Sequence, residues 1–451
     1  MLIRRLIPGL IPGLILGCCA LIMTCSLQAQ IQIEADLPAL RRGTYTDSAL
    51  WHQVAEFCDA YPRRLSGTTV LEEGLDWIIA RMQQQGWSVR TQPVMVPTWI
   101  RGAESLRMLS APSRPLPMMG LGGSVGTNGT PIKAEVLVVR SFEELDARGA
   151  EARGKIVVWN VPFTTYGETV QYRYGGASAA AAHGAVASLT RSVGPYGMQT
   201  PHTGGMGYRE DVQKIPSAAI TMEDAMLMQR MQDRGQSIEL ELMMEARSAE
   251  DRPSRNIIIE IPGSEHPEEV VVMGGHIDAW DVGTGAMDDA SGCFVTWHAL
   301  NAIKGLGKQP KRTIRVCFWT NEENGLRGGK AYADLTAHEQ HVLAMEVDGG
   351  TFQPVGFSGS VEGSLKADVE ALLQAGITTS PKPPTLVQGG GGADTGPLRA
   401  RGVPVIELVV DTSKYFWYHH TEADTPDKLD PRELNDCAYA MAVMAWGIAN
   451  R

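Results

Sequence analysis

From residue 257 to the C-terminus, short apolar runs alternate with longer amphipathic ones, and this rhythm constrains the fold more than any other feature of the chain. Strand candidates fall at 257–262, 270–275, 313–320, 342–347 and 404–410, and helix candidates at 289–304, 325–338, 363–375 and 431–449. Apolar strands separated by helices predict an α/β fold: a mainly parallel mixed sheet with helices on both faces.

The N-terminal half is organised differently. A helical pattern covers about 45 to 85, with Trp51, Val54, Phe57, Leu75, Ile78, Ile79 and Met82 on its apolar faces, broken at Arg64–Thr68. Trp87–Val96 is the first strand candidate. Residues 110–130 are rich in Pro, Gly and Ser and mark a boundary. Beyond them come short strands at Ala134–Val139, Lys155–Trp159 and Ser217–Ile220, with a small-residue helix in Tyr174–Ala187. The expected organisation is a leader over 1–29, a first part of the main domain over 30–112, an inserted smaller β-rich unit over 113–245, and the main domain again over 246–451.

Arg4 and Arg5 precede an apolar run from Leu6 to Met23 and then Ser26-Leu27-Gln28-Ala29, the layout of a secretory signal cleaved after Ala29. Pro8 and Pro12 interrupt the run and argue against a retained span. Ile15-Leu16-Gly17-Cys18 also fits a lipoprotein site, with an acylated Cys18. The expected destination is outside the cytoplasm, periplasmic or extracellular, without a stable membrane span. The formal charge of −11 becomes about −13 once a leader carrying two arginines and no acids is removed. Such a surface repels phosphate backbones and speaks against nucleic acid as a partner. Four cysteines (58, 293, 317, 437) survive cleavage, too few for a disulfide scaffold.

The chemistry lies at the ends of the predicted strands, the edge where open α/β sheets bind ligands. His276 and Asp278 follow the 270–275 run, and a carboxylate at that spacing can fix the imidazole tautomer. Asp288-Asp289 precede the small-residue helix start Ala290-Ser291-Gly292; they are either caps or, beside His276, ligands able to bridge two cations. Glu322-Glu323 follow the 313–320 strand, where one can coordinate metal and the other move a proton. Asp348 ends the 342–347 strand, though an aspartate before glycine is also an ordinary turn residue. His419-His420-Thr421 precede the last helix. Imidazole nitrogen together with carboxylate oxygen suits zinc, and the set points to a metal-dependent hydrolase.

At these motifs the chain resembles the co-catalytic two-zinc exopeptidases of the bacterial leucyl aminopeptidase group, and within it the carboxypeptidase Q branch. His-x-Asp, Asp-Asp before a small-residue helix, Glu-Glu, Asp-Gly and a late His-Thr match in order over residues 270–425. The strings Trp280–Met287, Tyr166–Gly176 and Lys414–His420 carry the nearer likeness. The resemblance implies a zinc exopeptidase phosphorylase/hydrolase-like fold, two Zn2+ ions per chain, and hydrolysis of dipeptides or terminal residues of short peptide substrates. It makes Asp288 the bridge, with His276 and Asp348 completing one site and Glu323 and His420 the other. Glu322 would be the general base and Asp278 the support of His276. The inserted unit would be a protease-associated cap domain, and the assembly a homodimer. Gly389–Gly392 with Asp394, and Asp411–Tyr415, would line the pocket, with Lys414 a candidate to meet a substrate carboxylate. Competing readings are a single-zinc transferase like the glutaminyl cyclases and a non-catalytic, receptor-like homologue. Ala290-Ser291-Gly292, Asn321–Gly325 and Thr421–Thr425 follow the wider aminopeptidase group, so the preferred peptide terminus stays open.

Overall fold

The computed structural model describes residues 33–451. The expected leader, with cleavage after Ala29 or acylation at Cys18, lies outside the described residues.

Eight strands form the main sheet, in the order Arg90–Ile100, Arg247–Ile261, Arg312–Trp319, His266–His276, Gln340–Glu346, Val405–Val410, Pro354–Ser360, Thr385–Gln388. The four from Arg312–Trp319 to Val405–Val410 run parallel, and antiparallel pairings flank them on both sides. The five predicted strands are all present. Pro354–Ser360 and Thr385–Gln388 went unpredicted, the first because glycine, serine and proline dilute its apolar signal, the second because it lies largely exposed.

Consecutive residues of the central strand face opposite sides, as the pleat requires. Val271 and Met273 pack on one side with the helices Ser291–Lys304 and Pro431–Ala449, while Val270 and Val272 pack on the other with Trp319, Tyr332 and Leu398. Full burial of such side chains is worth roughly 1.5–3 kcal/mol each, which holds this strand in place from both faces. The last helix is set by its start: Asp430 accepts N–H bonds from Arg432 (2.7 Å) and Glu433 (3.3 Å), and Pro431 occupies the first position. From Leu434 to Ala449 every residue of it is buried.

Register decides what meets at the strand ends. His276 pairs with Trp319, and Gly274 with Glu346. Continuing both strands by two residues brings His276 beside Asp348, and three residues beyond Trp319 stands Glu322.

A second eight-stranded sheet uses residues between Glu104 and Met244, in the order Arg114–Leu116, Glu104–Met108, Glu239–Met244, Ile132–Val139, Ile156–Trp159, Ala187–Arg191, Ser217–Ile220, Met118–Gly120. Its core takes in Trp280 and Val282, from the loop that follows His276. Arg101 grips Asp281 of the same loop through both carboxylate oxygens. Among the described residues no helix is long and apolar enough to cross a membrane. Cys58, Cys293, Cys317 and Cys437 are buried and unpaired.

Candidate metal centre and substrate cleft

His276, Asp288, Glu323, Asp348 and His420, drawn from the segments after three strands and the loop before the last helix, converge in one buried cluster. His276 Nε2 lies 3.2 Å from Asp288 Oδ1 and 3.2 Å from Asp348 Oδ1. His420 Nε2 lies 3.3 Å from Asp288 Oδ2 and 3.1 Å from Glu323 Oε2. Asp288 therefore offers one oxygen to each histidine.

The two adjacent aspartates point different ways. Asp289 turns back into the fold, accepting the His276 N–H (3.1 Å) and the Gly292 N–H (3.1 Å) at the helix start. Its carboxylate fits only because Gly275 and Gly292 lack side chains; a Cβ on either would stand 2.2 or 2.3 Å from an Asp289 oxygen. Asp288 and Asp289 leave helical geometry, so the helix starts at Ser291, later than predicted. Asp424 holds the Asp288 backbone by accepting the N–H groups of Met287 (2.7 Å) and Asp288 (3.2 Å).

Both imidazoles are oriented by carbonyl oxygens. His276 Nδ1 donates to the Asp278 carbonyl at 2.9 Å, and His420 Nδ1 donates to the Thr203 carbonyl at 3.2 Å. The Asp278 carboxylate, expected to fix the His276 tautomer, stands 3.8 Å from Nδ1 and instead accepts the Glu322 N–H (3.1 Å) and the Ser66 hydroxyl (3.1 Å). A carbonyl can only accept, so each Nδ1 carries the proton. A neutral ring would then turn an Nε2 lone pair toward carboxylate oxygens, a contact made favourable by either a proton or a metal cation between them.

The electrostatics show the same demand. Burial pulls His276 and His420 down, yet the carboxylates against Nε2 more than offset it, holding His276 well above its usual range and His420 up to about 10. Burial raises Glu323 to about 7, with Asp288 adding to it. Asp288 Oδ2 and Glu323 Oε1 are buried without a hydrogen-bond partner. Two donors bound at about 2.0–2.1 Å to one tetrahedral centre lie roughly 3.3 Å apart, close to the spacings seen here. The donor set thus fits zinc.

His419 stacks on His420 with ring centroids 3.5 Å apart, and its Nε2 reaches Asp288 Oδ2 at 3.6 Å, farther than His420. The exposed trio His266, Glu268 and Glu269 also falls within ligating reach, but Glu269 is paired with Arg312.

Glu322 opens onto a cleft of about 990 Å³ between the two sheets, together with Asp288, Glu323, Asp348 and His420. Burial, then the neighbouring carboxylates of Asp348 and Glu323, hold it well above the usual carboxylate range, although His276 acts the other way. Ala393, Thr412 and Tyr415 line this cleft, whereas Lys414 lines a separate depression with Asp411 and Asp427. The sequence reading missed Arg64, Thr203 and the structural use of Asp424. Arg64 is fully buried and donates to the carbonyls of Ile277 (3.0 Å) and Gly285 (2.9 Å), bracing the loop behind the ligands. The run Arg64–Thr68 signalled only a break between helices.

Several known proteins resemble this chain in sequence and fold. The profile of peptidase family M28 matches residues 256–445. Carboxypeptidase Q of Xenopus laevis is 44% identical over 408 residues, covering 89% of this chain and 86% of that protein. The crystal structure of a peptidase M28 precursor from Shewanella amazonensis SB2B superimposes with a TM-score of 0.88 at 33% identity, covering 94% of this chain and 98% of that one. A zinc aminopeptidase from Bacillus subtilis shares the fold, with a TM-score of 0.65 at 18% identity, over 87% of this chain and 93% of that one.

Proposed function

We propose that this chain, which belongs to peptidase family M28 and is a metallo-exopeptidase, hydrolyses dipeptides or the terminal residues of short peptides at a centre for two zinc ions. His276, Asp288 and Asp348 would hold one ion, and Asp288, Glu323 and His420 the other. The observation that carries this reading is the pair of Nε2 atoms aimed at a shared carboxylate, with both Nδ1 positions committed to carbonyls. What a bound zinc supplies is Lewis acidity, which brings the pKa of water toward roughly 7 and polarises a carbonyl.

The chain's own residues do the rest. Glu322 takes the proton of the attacking water as the scissile carbonyl carbon becomes tetrahedral, then delivers it to the departing amine. Burial and the neighbouring carboxylates raise its pKa, which suits the half of the cycle in which the carboxyl carries a proton. Asp278 fixes the Glu322 backbone through the 3.1 Å bond, and by its carbonyl fixes the His276 ring, so one residue sets the angle between base and ligand. The second sheet acts as the protease-associated cap, supplying the Thr203 carbonyl to His420.

A complete double ligand set supports hydrolysis over a one-ion transferase of the glutaminyl cyclase kind, and retention of the base supports an enzyme over a receptor-like descendant. Export and a homodimer belong to the same proposal, on the resemblance alone. The test is a panel of dipeptides with free and blocked termini, assayed before and after chelation. Release of free amino acids, lost on chelation and restored by zinc, is the expected result. No cleavage across the panel, or full activity after metal removal, would refute it.

A further inference from the structure

A fixed cation stands in the acidic cleft. Among its described lining residues, Arg173 is the only arginine or lysine, facing Asp251, Asp288, Glu322, Glu323, Asp348 and Glu407. Arg173 sits two turns along from Tyr166 on the helix Tyr166–Ala182, so both side chains project from one face toward the cleft. The residue is 6% exposed. Burial of a guanidinium is costly without a counter-charge, yet its hydrogen bonds go only to neutral groups: Nη1 to the Thr203 carbonyl (3.3 Å) and Nη2 to the Tyr166 hydroxyl (2.8 Å). Nε is buried with no partner. A guanidinium has five N–H donors in a planar fork that matches a carboxylate, and here only two are engaged.

Its position ties it to the centre. The Thr203 carbonyl that accepts from Arg173 is the same oxygen that accepts from His420 Nδ1. Tyr166, its other acceptor, lies edge-on to His419 at 5.2 Å. The guanidinium is therefore one oxygen atom removed from the His420 ring, on the cap side of the cleft. Gly204 leaves room for it, since a Cβ there would stand 2.3 Å from Arg173 Cζ.

We propose that Arg173 binds the free C-terminal carboxylate of the substrate, and so selects substrates whose scissile bond lies next to a free C-terminus, dipeptides included. The inference rests on the peptidase reading above and deepens it. The cap then contributes recognition as well as the carbonyl that orients His420. An uncharged C-terminus would leave a buried cation without its counter-charge, which is the source of the discrimination.

The test compares one dipeptide with its C-terminal amide, in the zinc-loaded wild type and in Arg173→Met and Arg173→Lys. In the wild type kcat/KM for the free acid should exceed that for the amide about 100-fold, as expected for a charge-assisted bidentate contact. Arg173→Met should bring that ratio near one by losing the acid, with zinc content unchanged, and Arg173→Lys should recover part of it. Calorimetry with a reduced-amide dipeptide and its C-terminal amide should show the same collapse in affinity ratio without turnover. A bracing role alone would lower acid and amide equally and leave the ratio intact, which overturns the proposal. Equal rates for acid and amide in the wild type overturn it without any variant. If discrimination returns with an amide bearing a C-terminal glutamate, the group read is a side chain and the terminal-carboxylate assignment fails. Absence of cleavage of every free dipeptide instead refutes the peptidase reading itself.

Discussion

Replacing Glu322 with glutamine separates proton transfer from metal holding. The side chain opens on the cleft, while the residue is anchored by its backbone N–H on Asp278, a bond the amide variant keeps. The cluster already disfavours the charged form, since burial and the Asp348 and Glu323 carboxylates push Glu322 well above its usual range. A neutral isostere therefore relieves repulsion rather than adding it, and folding stability should change by less than about 1 kcal/mol. The kinetic cost is of another order. Loss of a general base removes roughly 10²- to 10⁴-fold in rate, or about 3–5 kcal/mol of transition-state stabilisation. On the proposed mechanism the same carboxyl both takes and returns the proton, so Glu322→Gln should fall at the upper end. Steady-state kinetics on a cleaved dipeptide, thermal melting and elemental zinc analysis on the same preparation measure all three quantities. Near-wild-type kcat with full zinc would refute the assignment of Glu322; lost zinc would make it a ligand instead of the base.

Two further outcomes follow from other parts of the structure. Asp424→Ala strands the buried N–H groups of Met287 and Asp288, which costs roughly 1–3 kcal/mol each, and frees Asp288 to swing; zinc affinity measured by competition with a chelator should fall about 10- to 100-fold. His341 is held down to about 4 by burial and then by the Arg315 guanidinium, with Glu339 opposing and Tyr332 bonded to its ring. Its folded pKa lies below the unfolded value near 6.5, so the contribution is fully present above about pH 6.5 and is lost as pH falls toward 4. The total is about 3 kcal/mol, and urea unfolding of His341→Leu should show a correspondingly flatter pH dependence across that window.

The central sheet was legible because Val270–Met273 and its parallel neighbours are buried on both faces, which leaves continuous apolar runs in the sequence. Thr385–Gln388 was illegible for the opposite reason: a largely exposed edge strand needs no apolar pattern. The carboxylates and histidines could be singled out because ligand chemistry demands particular side chains at strand ends. What orients them could not be. The acceptors for the two Nδ1 groups are backbone carbonyls, and one of them, Thr203, lies 217 residues from His420, in a loop between two strands of the second sheet. Arg64 acts only on carbonyls, so its neighbours in sequence say nothing about its task. The separate jobs of Asp288 and Asp289 depend on backbone angles that break the helix, and adjacent identical residues hide that difference.

The claim on which the rest depends is that Asp288 is shared between two ions. Elemental analysis of metal-replete protein, wild type beside Asp288→Ala, tests it directly. Two zinc ions per chain in the wild type, and fewer than one in the variant because both sites lose a ligand, is the predicted result. One ion in the wild type, or two retained by Asp288→Ala, would contradict it.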